Sequence, residues 1–111
     1  MNIVNLTPHV LNLLPDGAGG KAVAIQPSGQ VARCAVNRIQ VDVVVVDGVS
    51  IPVNRTQFGT VTDLPDPLPD TIYIVSAVVA QAVDRPDVHI VDDAVRDNDG
   101  RIIGARALAH I

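Results

Sequence analysis

Asp47-Gly48 lies between two runs of β-branched residues, VDVVVV at 41–46 and VSIPV at 49–53. Aspartate followed by glycine in that setting demands a two-residue hairpin turn with positive φ at both positions, because that turn matches the right-handed twist of the flanking strands. The turn sets the register: Val46 faces Val49, Val44 faces Ile51 and Val43 faces Pro52. The first two pairs exchange backbone hydrogen bonds and the third does not, so the donor that Pro52 lacks would have pointed outward. The strand 49–54 is therefore expected at a sheet edge. Val44, Val46, Val49, Ile51 and Val53 share one face, and Val41, Val43 and Val45 make the other face apolar as well. A second sheet would cover one face and a symmetric copy the other, which predicts a homo-oligomer.

The rest of the composition agrees with a β-rich chain. At 111 residues it is expected to be a single domain, 1–111, with 48% apolar and 2% aromatic residues. The core must then be built from Val, Ile, Leu and Ala. Every acidic residue is Asp and none is Glu, with eight Pro and eight Gly; these are turn and cap residues rather than helix-surface residues. The predicted fold is mainly β, a sandwich or barrel-like arrangement of antiparallel sheets, with one short helix near residues 77–84. Expected strands run over Asn2–Leu6, Val10–Leu14, Ala22–Gln26, Gln30–Val36, the hairpin Ile39–Arg55, Ile72–Val75, Val88–Val91 and Arg101–Leu108. Thr7-Pro8-His9 breaks the first two apart, since Pro8 cannot donate to a ladder. TDLPDPLPDT at 62–71 reads as an extended connector. Ser76 is a good N-cap, and Arg85-Pro86 ends the helix.

A net charge of −4 opposes any DNA- or RNA-coating role. A single cysteine permits no internal disulfide and fits a reducing cytoplasm. No apolar run reaches the roughly 20 residues of a membrane span, and with no positively charged segment followed by an apolar one no secretory signal is expected.

No catalytic residue set and no cofactor is expected. DGAGGKA at 16–22 lacks the spacing and the hydroxyl of a phosphate-binding loop. Asp97-Asn98-Asp99-Gly100 lacks the twelfth-position Glu of a calcium loop and reads as a turn. His9, His89 and His110 show no paired metal-ligand spacing, so no metal site is expected. No serine sits in a nucleophile elbow. The better constellation is the junction at Ser76, where a helix start exposes backbone donors, combined with arginines whose forks match phosphate oxygens. Its competing reading is local pairing of the arginines with neighbouring aspartates, which says nothing about ligands.

NLTPH at 5–9, PSG at 27–29, FG at 58–59, YIVS at 73–76, R-x-D at 85–87 and RD…GRIIG at 96–104 resemble a group of small proteins encoded by bacteriophages, prophages and some bacterial genomes. In size and β-rich character the chain is also similar to the Thoeris anti-defence sponges. That similarity implies sequestration, without turnover, of a small phosphorylated nucleotide signal of the ADP-ribose or cyclic type. For such a ligand the expected contacts are Arg55, Arg85 and Arg96 to phosphates and Ser76 with the helix start donating to them. Phe58 or Tyr73 would stack on the base, with Thr7 and His9 at the pocket rim. An equal alternative for Thr7 and His9 is a sheet-corner turn. Two other functions stay open: a structural or interaction protein, such as a virion accessory or protein inhibitor, and a nucleotide-processing hydrolase.

Overall fold

Segments rich in Val, Ile and Leu, separated by Pro, Gly and Asp turns, form eight strands and one helix in the computed structural model, which describes residues 1–111. The strands are β1 (Asn2–Asn5), β2 (Leu11–Leu13), β3 (Val23–Ile25), β4 (Arg33–Val46), β5 (Val49–Thr62), β6 (Thr71–Ile74), β7 (Val88–Arg96) and β8 (Ile102–Ala109); α1 spans Ala77–Gln81.

Six strands make one sheet in the order β1-β6-β7-β8-β2-β3. A bridge between Asn5 and Pro27 brings the end after β3 back to β1, so the sheet nearly closes into a barrel. The mainly β, barrel-like expectation is met, but the pairing is mixed rather than antiparallel throughout. β1 and β7 both run parallel to β6, and β2 parallel to β8. The α1 connection is the cause between β6 and β7: a crossover returns the chain to the end where β6 began. Only β7–β8 and β2–β3 are antiparallel within this sheet. β2 meets β8 at one paired residue, Leu13 opposite Ala105. Gly104 permits that approach, since a Cβ there would lie 2.5 Å from the Asn12 carbonyl oxygen.

The core is small. Leu6, Ala32, Tyr73, Val75, Val79, Ala80 and Val88 pack together, with Cys34, Val61 and Leu64 against them. Tyr73 and Ile74 are almost wholly enclosed. Serine begins the helix as expected: the Ser76 hydroxyl accepts from the Val79 N–H at 3.4 Å. The helix stops at Gln81 rather than running to Asp84, because the Ala82 N–H turns back onto the Val79 carbonyl. β7 continues past Val91 to Arg96, where it meets β8.

The largest departure from expectation is the hairpin. Asp47 and Gly48 take φ of 52° and 77°, and Val46 faces Val49, Val44 faces Ile51 and Val43 faces Pro52, as the turn requires. The pairing continues to Arg33 opposite Thr62, so residues 33–36 are the root of β4 and not a separate strand. Register slips at Cys34/Val36 and Gln40/Asp42 carry the long ribbon over bulges. β4 and β5 form a two-stranded sheet of their own, unpaired with the barrel. The result is a projecting arm. The Cα radius of gyration is 17.7 Å, against about 13 Å for a compact domain of this length.

Candidate functional site

The NLTPH stretch is a corner built around a buried side chain. Asn5 is 1% exposed, and its amide is fully used. Its Nδ2 donates to the carbonyls of His9 (2.7 Å) and Ile25 (3.1 Å). Its Oδ1 accepts from the Thr7 N–H (2.9 Å) and the Thr7 hydroxyl (2.7 Å). One side chain thus ties the end of β1 to the Thr-Pro-His turn and to β3. Pro8 forces the strand to break, and Asn5 holds the broken ends. Thr7 is spent on this corner. His9 is exposed beside an open groove of about 660 Å3 between β2, β7 and β8, bordered by Leu11, Val91, Ile102 and Ile103.

Arg85 is likewise engaged. Its Nε and Nη2 meet both carboxylate oxygens of Asp87 at 3.0 and 2.6 Å, and its Nη1 donates to the Pro65 carbonyl at 2.9 Å. The guanidinium lies 5.8 Å from the Tyr73 ring centre, a cation–π contact. The Tyr73 hydroxyl donates to the Asp66 carbonyl at 3.1 Å. Arg85 and Tyr73 together fasten the proline-spaced connector to β6 and β7. The side chains of Arg85 and Asp87 are 22% and 14% exposed. The hydrogen bond to Arg85 outweighs burial and holds the Asp87 carboxyl below the usual carboxylate range; the same bond raises the Arg85 guanidinium.

The remaining candidates are dispersed. Arg96 is exposed and donates from Nη1 to the Gly100 carbonyl of its own turn at 2.7 Å. Arg55 and Phe58 lie on the arm, opposite Ile39 and Val36. Tyr73 is 1% exposed, too enclosed to receive a base on its face. Ser76 is occupied as an N-cap. Of the eight residues, the structure joins Thr7 to His9 and Tyr73 to Arg85, and both contacts serve the fold. The three arginines sit on the arm, beside the connector and at the β7–β8 turn.

The arm is the feature with unspent chemistry. Val44, Val46, Val49 and Ile51 all keep at least 45% of their surface exposed, and Val45 reaches 65%. Its two free edges are blunted at one rung. Pro52 has no N–H, and the N–H of Val43 directly opposite is taken by the Asp42 carboxylate at 2.7 Å. Sequence reasoning identified the valine ribbon, and its competing reading, local pairing of arginines with nearby aspartates such as Asp87, is what Arg85 shows; it missed Asn5. The signal for Asn5 was an amide at a strand end just before a proline break. No group of three or more His, Cys or Asp side chains could hold a metal ion. No helix is long and apolar enough to cross a membrane. The chain matches no known protein family, no curated protein and no solved structure.

Proposed function

We propose that this chain is a non-catalytic interaction protein that works by docking its β4–β5 arm against a protein surface. The observation that supports the reading is the arm: an apolar ribbon, clear of the barrel, with its side chains in solvent. Exposed apolar surface in a contiguous patch marks an interface. A two-stranded hairpin is marginal by itself in water and gains stability when something packs on it. The resemblance to small phage-encoded proteins is compatible with a virion accessory or a protein inhibitor.

Nucleotide sequestration, the other reading of the sequence, asks for guanidinium groups converging on one pocket. Arg85 is held by Asp87 and Pro65, Arg96 by its own turn, and Arg55 lies out on the arm. The interaction reading therefore ranks first.

One experiment separates the two. A photo-crosslinking residue is placed at Ile51 and, as a control, at Asp99 on the barrel, in cells expressing the protein. The docking reading expects protein adducts from position 51 alone, and no nucleotide in the supernatant after heat denaturation of the purified chain. Stoichiometric nucleotide without protein adducts would replace it with sequestration.

A further inference from the structure

We infer that the groove between β2, β7 and β8 is a binding site for a small apolar molecule carrying one positively charged nitrogen, an alkyl- or arylammonium. The groove lies on the barrel and not on the arm, so the inference stands apart from the docking reading and goes beyond it.

The topology opens the groove. β2 runs parallel to β8 but is paired with it only where Leu13 meets Ala105. Toward the start of β2 the two strands share no further rung, and a concavity of about 660 Å3 lies there. Small side chains keep it open: Ala94 and Ala105, paired across β7 and β8, border it together with Gly104. Val10, Leu11, Val91 and Ile102 add apolar walls. Val10, Val91 and Ile102 stay 44%, 39% and 61% exposed, so this apolar surface is not spent on the core. The volume falls within the range of small-molecule sites, about 300–1,000 Å3.

The charge at the groove has one sign. Strand side chains alternate between faces, so consecutive residues normally point apart. Asp93 departs from that rule. Its φ is 61°, and the β7–β8 ladder has no rung between Asp92–Ala107 and Ala94–Ala105. With the alternation broken, the consecutive Asp92 and Asp93 both border the groove. Asp92 joins none of the ion pairs of the chain. Asp93 has only Arg106, at 4.0 Å and largely in solvent, a pairing that contributes little. No Lys or Arg borders the groove.

Two neighbouring carboxylates beside apolar walls repel each other and repel a phosphate. They attract a cation, and a cation with an apolar body covers the walls as well. That body also displaces water from around the carboxylates, which lowers the local dielectric and strengthens the attraction. A metal ion is the poorer guest, because no third His, Cys or Asp side chain is placed to complete its coordination.

The test follows amide chemical shifts of the full chain as adamantylammonium, the isosteric neutral adamantanol, or adamantane carboxylate is added. The ammonium should shift residues 9–12, 91–94 and 102–105 saturably, and the carboxylate should not. The ammonium should bind roughly tenfold more tightly than the alcohol. Asp92→Asn combined with Asp93→Asn should bring the ammonium down to the level of the alcohol; asparagine tolerates positive φ, so the backbone at position 93 is kept. Ile102→Ser, at a side chain outside the core, should weaken ammonium and alcohol alike. The absence of saturable binding, or equal affinity for ammonium and alcohol in the wild type, overturns the inference. Ammonium shifts centred on other exposed aspartates, such as Asp47 and Asp99, do the same. So does tighter binding of a capped Leu-Lys-Leu tripeptide than of the ammonium, which would make the groove a peptide site. All these outcomes are read on the barrel and leave the arm's docking to its own crosslinking test.

Discussion

Asn5 and Arg85 each join three parts of the chain through one side chain, so their removal should cost more than their own contacts. Asn5→Ala leaves the His9 and Ile25 carbonyls and the Thr7 N–H without their partner. Stranding buried polar groups costs about 1–3 kcal/mol each, so a loss of roughly 3 kcal/mol is expected in chemical denaturation. Asp87 supplies a pH signature. Its carboxyl is held low by Arg85, so its stabilisation is complete above the unfolded carboxylate value of about 4 and disappears as pH falls through the lower folded value. Asp87→Asn should be less stable than wild type at pH 7, and the difference should shrink below about pH 4. Thermal midpoints measured from pH 7 to pH 2 check this; a difference that does not narrow would show that Asp87 acts through shape alone.

Among the elements, β2 meets β8 through a single residue pair and the Leu14 N–H to Ala105 carbonyl bond at 2.8 Å, a far shorter ladder than that between β7 and β8. Gly104→Ala would set a methyl 2.5 Å from the Asn12 oxygen and 2.9 Å from Leu14 Cδ1. Since the nearer atom is backbone, β2 has to move. The expected outcome is faster amide hydrogen exchange across 11–14 and 104–106, with β6 and β7 little changed. The same elements mark what could be read from sequence. Asp47-Gly48 fixed its turn and register because the constraint is local: two positive φ angles and a proline. Closure through Asn5 and Pro27 depends on residues distant in sequence, and nothing in the local pattern of either reveals it. The exposure of the valine ribbon was also hidden, because alternation states which residues share a face but not what lies beyond it. For the candidate site the gap was wider. Arg55, Arg85 and Arg96 were chosen for their chemistry, and chemistry alone does not show that Asp87, Pro65 and Gly100 already engage two of them.

At the scale of the whole molecule, only 14 of 111 residues are buried and the long axis reaches 54 Å. A chain with so small a core keeps its shape through a few long-range ties and carries much of its apolar surface outside. Small-angle scattering extrapolated to zero concentration should give a radius of gyration near the 17.7 Å of the Cα trace. A value near 13 Å would mean that the ribbon folds back onto the barrel, which would remove it as a docking element.

The root of the arm has a mechanical consequence. One strand enters directly after Ala32, whose N–H is bonded to the Leu6 carbonyl at 3.1 Å, and the other leaves into the connector that Arg85 and Tyr73 grip. Cys34 and Val61 meet the core between these two moorings. A ribbon tethered by one strand would sweep through a cone of directions; one moored by both is a lever with a set bearing. The orientational freedom that a swinging limb would surrender on contact has already been given up during folding. Whatever meets the tip finds it already aimed.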